Sequence, residues 1–178
     1  MRNWVLLTAG LGVLWPVAPL EAQGLTFGVA GGVSVPVGDF SDGVDLGWNA
    51  VGTLWLSSIM HPLSLRVDGA HNQFGFSDDA GVEVDGTARV TSGTLNAAYR
   101  LPMTNSPISP YLMSGLGAYH SDCSEDACEG TTKFGWNVGL GTRIYLLGFR
   151  SFLEARYHRT ERGDSDVHFI SVSVGPMF

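Results

Sequence analysis

The amino-acid sequence predicts an all-β fold, on three observations. The chain of 178 residues holds 24 glycines, and charged residues make up only 15% of it; glycine at that density weakens helices, and so little charge is unusual for a water-soluble globular domain. No long segment repeats its apolar residues at the 3.6-residue period of an amphipathic helix. Apolar residues instead alternate with small or polar ones at period 2, segment after segment, as strands with two unlike faces require.

Taken in order, the chain opens with a single base, Arg2, followed by an apolar run from Trp4 to Trp15 and then Pro16-Val-Ala-Pro-Leu-Glu-Ala22. A basic start, an apolar stretch too short to span a bilayer and a small residue at the cleavage point define a secretory signal peptide over 1–22. Pro16 and Pro19 argue against a membrane anchor. Cleavage is expected after Ala22, with Leu20 tolerable two residues before it. The mature chain, 23–178, is one domain by length. It holds no run of ~20 apolar residues, so no helix of it is expected to cross a membrane.

Eight alternating segments follow, at 25–35, 47–56, 63–74, 87–100, 110–120, 132–146, 149–159 and 167–178. Each is close to the ~9–11 residues that a tilted strand needs to cross a bilayer. In the first, Phe27, Val29, Val33 and Val35 share one face, and Thr26, Gly28, Ala30, Gly32 and Ser34 the other. In the third, Leu63, Leu65 and Val67 oppose Ser64, Arg66, Asp68 and Asn72. The sixth sets Phe134, Trp136, Val138, Leu140 and Ile144 against Gly135, Asn137, Gly139, Gly141 and Arg143. The seventh sets Leu153, Ala155 and Tyr157 against Glu154, Arg156 and His158. The second and fourth do not settle a face through Asn49, Trp55, Thr94 and Asn96; spacing alone identifies them as strands.

The polar face separates a soluble sandwich from a membrane barrel. A sandwich would expose a charged face of mixed sign, whereas this face is mostly Gly, Ser and Asn with a few mid-strand charges. Small side chains suit the lumen of a barrel of about eight strands, which side chains just fill. The expected architecture is an eight-stranded antiparallel up-and-down transmembrane β-barrel. Trp48, Trp55, Tyr99, Tyr111, Tyr119, Trp136 and Tyr145, near segment ends, are expected at the two membrane interfaces.

The connections agree. The even ones, 57–62, 102–109 and 147–148, contain no Asp, Glu, Lys or Arg. The odd ones, about 36–46, 75–86, 121–131 and 160–166, carry fourteen of the chain's 17 acids: Asp39, Asp42, Asp45, Asp78, Asp79, Glu83, Asp85, Asp122, Glu125, Asp126, Glu129, Glu161, Asp164 and Asp166. Short turns on one side and longer loops on the other are the pattern of outer-membrane barrels. A sandwich has no reason to gather its acids at one end.

The final stretch, Val167 to Phe178, places Ile170, Val172, Val174, Pro176 and Phe178 on one face and Ser171, Ser173 and Gly175 on the other. It resembles the C-terminal strand of bacterial outer-membrane β-barrels. With Leu65-Arg-Val-Asp-Gly69, Pro110-Tyr-Leu112, Gly115-Leu-Gly117, Gly135-Trp-Asn-Val-Gly139 and Glu154-Ala-Arg-Tyr157, the whole mature chain is similar to the small outer-membrane barrels related to the OmpA and OmpX transmembrane domains. The resemblance implies residence in the bacterial outer membrane, and a C-terminal strand, with Val174 and Phe178, that addresses the barrel-assembly machinery. One departure is Pro176, which cannot donate a ladder hydrogen bond. The junction of last and first strands is therefore expected to fray at the periplasmic rim.

Chemistry is sparse. Arg66, Asp68, Arg143, Glu154 and Arg156 point inward by parity and are expected to form a charge-balanced interior cluster, with Arg143 in reach of Glu154 through a hairpin at 147–148. A Glu154–His158 acid–base pair is disfavoured, since residues i and i+4 on a strand lie ~13 Å apart. Cys123 and Cys128 are expected to form a disulfide across the third outer loop, as an exported protein allows. Cys-x4-Cys does not make a metal site, and no loop matches an Asp-x-Asp-x-Asp-Gly calcium motif. The glycine pairs lie within strands and are not dinucleotide motifs.

The expectation is thus a monomeric outer-membrane barrel with a packed interior and no cofactor, metal or catalytic residue. Its role would be structural or surface-interactive through acidic outer loops. Its partners would be outer-membrane lipids and lipopolysaccharide, with divalent ions bridging acid to phosphate, and no nucleic acid. An enzyme at the outer rim, lipid-modifying or proteolytic, is the main alternative, built from His120, Ser121, Asp122, His158 and Asp166. A narrow channel and a soluble lipocalin-like carrier are further ones; the first lacks bore in eight strands, and the second needs an apolar lumen.

Overall fold

The computed structural model describes residues 24–57, 62–76, 86–103, 106–123, 130–146, 148–162 and 165–178. The expected signal peptide lies outside the described residues. Eight strands, β1 (Leu25–Pro36), β2 (Val44–Ser57), β3 (Leu63–Phe76), β4 (Thr87–Arg100), β5 (Ile108–Cys123), β6 (Thr131–Leu146), β7 (Phe149–Arg162) and β8 (Ser165–Met177), follow one another in sequence. Each pairs antiparallel with its chain neighbours, and β8 closes on β1 to form a barrel with no free edge. A 3-10 turn, Gly38–Asp42, connects β1 to β2.

The apolar parity faces outward. Phe27, Leu65, Leu95, Leu116, Phe134, Leu140 and Val174 are exposed on the barrel's outer surface, while Arg66, Asp68, Asn96, Asn137, Glu154 and Ser173 are buried within. This inversion of a soluble fold is stable only where hydrocarbon surrounds the wall. The two strands that parity left open join the pattern, with Asn49, Thr94 and Asn96 inside.

Several strands run past their expected ends: β5 reaches Cys123 and β7 reaches Arg162. Ladder pairing sets these ends, not hydrophobic alternation, and it continues past the alternating stretch, as in Ser121 opposite Thr131. Gly148, at φ 83°, turns the tight β6–β7 connection.

Large side chains close both ends of the lumen. At the end of the even connections Trp55, Ala98, Tyr111, Met113, Phe152 and Met177 form an apolar floor. At the end of the odd connections Val44, Phe74, Ala88, Val90, Tyr119, Val167 and Phe169 form a roof, with Phe40 of the 3-10 turn packed edge-on against Phe74 at 5.4 Å. Trp55, Tyr111 and Tyr119 were expected at the membrane interfaces and instead lie inside. Inward glycines on neighbouring strands make their room: a Cβ on Gly141 would collide with the Tyr111 ring, and one on Gly135 with the Tyr119 ring. Trp48, Tyr99, Trp136 and Tyr145 are exposed, as girdle residues must be.

The β1–β8 junction also departs from expectation. Its cross-strand pairs run from Pro36–Phe169 to Gly31–Val174, skip Val29, Ala30, Gly175 and Pro176, and resume at Gly28–Met177. The rim itself is sealed: Phe27 and Phe178 exchange both backbone hydrogen bonds, at 3.1 and 2.7 Å, and their rings stack at 6.5 Å. Pro176 thus opens a gap one step above the rim and does not fray the end.

Candidate functional site

Between floor and roof lies the chain's densest polar chemistry. Arg66 and Asp68 come from β3, and Glu154 and Arg156 from β7, strands on opposite sides of the ring. Their i, i+2 spacing aims each pair into the lumen. The Arg66 guanidinium donates to Glu154 Oε2, and to Glu154 Oε1 at 3.2 Å. Its Nε donates to Asp68 Oδ1 at 2.5 Å. Arg156 Nε donates to Glu154 Oε1 at 2.5 Å, and its Nη1 lies 2.8 Å from Asp68 Oδ2. Tyr111 donates its hydroxyl to Glu154 at 2.8 Å, and Asn96 its amide to Asp68 at 2.9 Å. Two cations and two anions, all nearly fully buried, thereby form a neutral, hydrogen-bonded quartet. Such a network adds little net stability over apolar packing, but losing one member strands a buried charge.

Arg143 does not join the quartet. It lies opposite Phe152, as the hairpin register requires, yet its guanidinium rests over the Trp55 ring at 4.9 Å. Glu154 is already occupied by Arg66, Arg156 and Tyr111, which leaves Arg143 the floor. The Arg66 guanidinium also lies over the Trp55 ring, at 4.6 Å.

Two further polar layers sit toward the roof. Asn49, Ser34, Asn72 and Ser173 bond across four strands, with Ser34 donating to Asn72 at 2.8 Å and Ser173 to Asn49 at 2.8 Å. His158 stacks on Phe169 at 4.5 Å; its Nε2 lies 3.0 Å from Ser171 Oγ and its Nδ1 3.1 Å from the Tyr119 hydroxyl. Sequence reasoning missed this Ser–His contact, which only the β7–β8 register reveals. A hydrolytic triad would need a carboxylate behind the imidazole and access for substrate; here the orienting group is a phenol, and Phe169 covers the pair.

The residues considered for an enzyme at the outer rim are split by the barrel wall. His120 and Asp122 face outward with Nε2 and Oδ2 3.8 Å apart, while Ser121 and His158 are buried inside. Among the described residues no three His, Cys, Asp or Glu side chains are placed to hold a metal ion. Cys123 ends β5, and Cys128 lies outside the described residues. Val174 and Phe178 face outward and are exposed.

A closed antiparallel barrel with an apolar exterior, a plugged lumen and its termini of strand on one side defines an integral β-barrel membrane protein. The chain belongs to the outer membrane protein beta-barrel domain family, whose model matches residues 6–178, and its place is the bacterial outer membrane. Solved structures that share the fold include three from bacterial outer membranes. Neisserial surface protein A aligns with TM-score 0.69 at 16% identity, covering 87% of this chain and 96% of that one. Ail, the attachment invasion locus protein of Yersinia pestis, aligns at 0.55 and 18%, covering 86% and 97%. The N-terminal barrel domain of Pseudomonas aeruginosa OprF aligns at 0.52 and 15%, covering 88% and 98%. No curated protein matches the sequence.

Proposed function

We propose that this barrel is a non-enzymatic, monomeric surface protein, acting outside the cell through its acidic loops. The observation that carries the reading is the sealed lumen. Floor, neutral quartet and roof occupy the interior in succession, so neither solute passage nor catalysis inside has a route. What remains for contact with the outside is the loop end, where nearly all the acids of the sequence gather. Divalent cations bridging these carboxylates to lipopolysaccharide phosphates would relieve their mutual repulsion. In the same reading the odd connections face outward, residues 1–22 are a signal peptide, and the C-terminal strand engages the assembly machinery. A Cys123–Cys128 disulfide closes the third loop; no described cysteine is free, which supports it.

The test is conductance in planar lipid bilayers. The protein is expected to insert without steady ion current. A stable open state in the wild type would sink the sealed-lumen reading.

A further inference from the structure

We propose that the periplasmic mouth of the barrel holds the phosphate of an anionic phospholipid, bound by Arg100, Arg143 and Arg150. The observation is an excess of positive charge: three arginines with no side-chain carboxylate paired to them among the described residues. The three arginines ring the floor: Arg100 is the cross-strand partner of Tyr111, whose ring packs on Trp55 at 5.2 Å. Arg143 lies over that same indole at 4.9 Å, and Arg150 is paired with Tyr145 and Met177. By strand alternation all three sit on the lumen side of the wall, at its last turns.

Among the described residues no side-chain carboxylate shares this end. Along the sequence the acids nearest the even connections are Asp68 and Glu154, and both are consumed by the quartet. The C-terminal carboxylate of Phe178 is at the same rim, and among the described residues it makes no ion pair with any of the three. Arg100 and Arg150 are exposed. Arg143 is half-buried, and its Nε is shielded from solvent without a hydrogen-bond partner, a costly state for a charged donor. Arginines gathered on the lumen side of one rim repel one another less when an anion sits among them, and guanidinium forks match phosphate oxygens well. Tyr99 and Tyr145, exposed beside them, are the residue type that marks headgroup depth. At this depth the available anion is the phosphodiester of a lipid in the inner leaflet.

The inference rests on the proposed orientation only for the choice of leaflet. Binding in micelles does not depend on orientation, whereas protease cleavage of the acidic loops on intact cells does, so the two can fail separately.

The experiment uses the protein purified in dodecyl maltoside, with Trp48 and Trp136 replaced by Phe. Trp55 is then the one tryptophan between residues 16 and 178, and it touches Arg143 directly. Dihexanoylphosphatidylglycerol is expected to change Trp55 emission saturably. The half-saturating concentration should rise about tenfold or more in Arg143→Gln, and likewise in Arg100→Gln with Arg150→Gln. The second variant alters only exposed rim residues and decides the matter if the first does not fold. Inorganic phosphate at equal concentration is expected to leave the emission unchanged; an equal response would overturn the lipid assignment. A response that never saturates, or one that the Arg100/Arg150 pair does not weaken, would overturn the site.

Discussion

Glu154 accepts hydrogen bonds from Arg66, Arg156 and Tyr111 deep in the interior. Glu154→Ala leaves two guanidiniums in the lumen with only Asp68 to answer them. The expected loss is about 3–5 kcal/mol, the cost of breaking a buried ion pair from one side. Asp79→Ala, in the connection between β3 and β4, is expected to change stability by less than about 0.5 kcal/mol. Urea unfolding of both variants in the same micelles measures the difference, and equal midpoints would remove the quartet's structural role. Residues of this kind were legible because a charge in mid-strand, on the side opposite Leu65 or Leu153, has nowhere to go but the lumen. Arg143 was harder. Its neighbour across the hairpin follows from the turn length, but whether it reaches Glu154 depends on which cations arrive first from β3, which sequence does not show.

At the scale of a strand, parity decides lipid from lumen. Leu140, exposed in the middle of β6, is expected to cost about 2–4 kcal/mol when replaced by Arg, as a charge at the bilayer midplane does. The fraction folded after refolding into vesicles reports it; wild-type yield would mean that residue 140 does not face lipid. In β8 the skipped pairs around Pro176 give the opposite kind of prediction. Pro176→Val restores a backbone donor opposite Val29 and is expected to raise stability by roughly 0.5–1.5 kcal/mol, one net hydrogen bond, read from the urea midpoint. Parity failed for aromatic residues because Trp and Tyr suit both a membrane girdle and a plug. In β2, Trp55 stands between Leu54 and Leu56, and hydrophobicity alone cannot say which of the three turns inward. The deciding signal was the inward glycine opposite a bulky ring, as Gly141 is to Tyr111, and that depends on register.

For the whole molecule, closure is the property that matters. Every strand has two partners, so dodecyl sulfate without heat finds no edge to peel. Unheated samples are expected to run at a different apparent mass from boiled ones, with β-type circular dichroism before boiling. A single position on the gel under both conditions, with folding in plain buffer, would contradict a membrane barrel. The closed eight-stranded architecture was legible from composition and alternation. The plug's layering was not, because it is made by side chains that meet across the lumen from strands far apart in sequence.

The quartet has one more consequence, for the order in which the barrel can be built. Arg66 holds Asp68 on its own strand, and Arg156 holds Glu154 on its own. Each strand therefore carries its counter-ion with it. A half-made barrel exposes no naked charge from β3 or β7 while the lumen is still open to its surroundings. The bonds between Arg66 and Glu154, and between Arg156 and Asp68, form only when opposite walls meet. Neutrality comes from neighbours two residues apart and cross-bracing from the finished ring, so the nascent protein can be electrically quiet before it is mechanically locked.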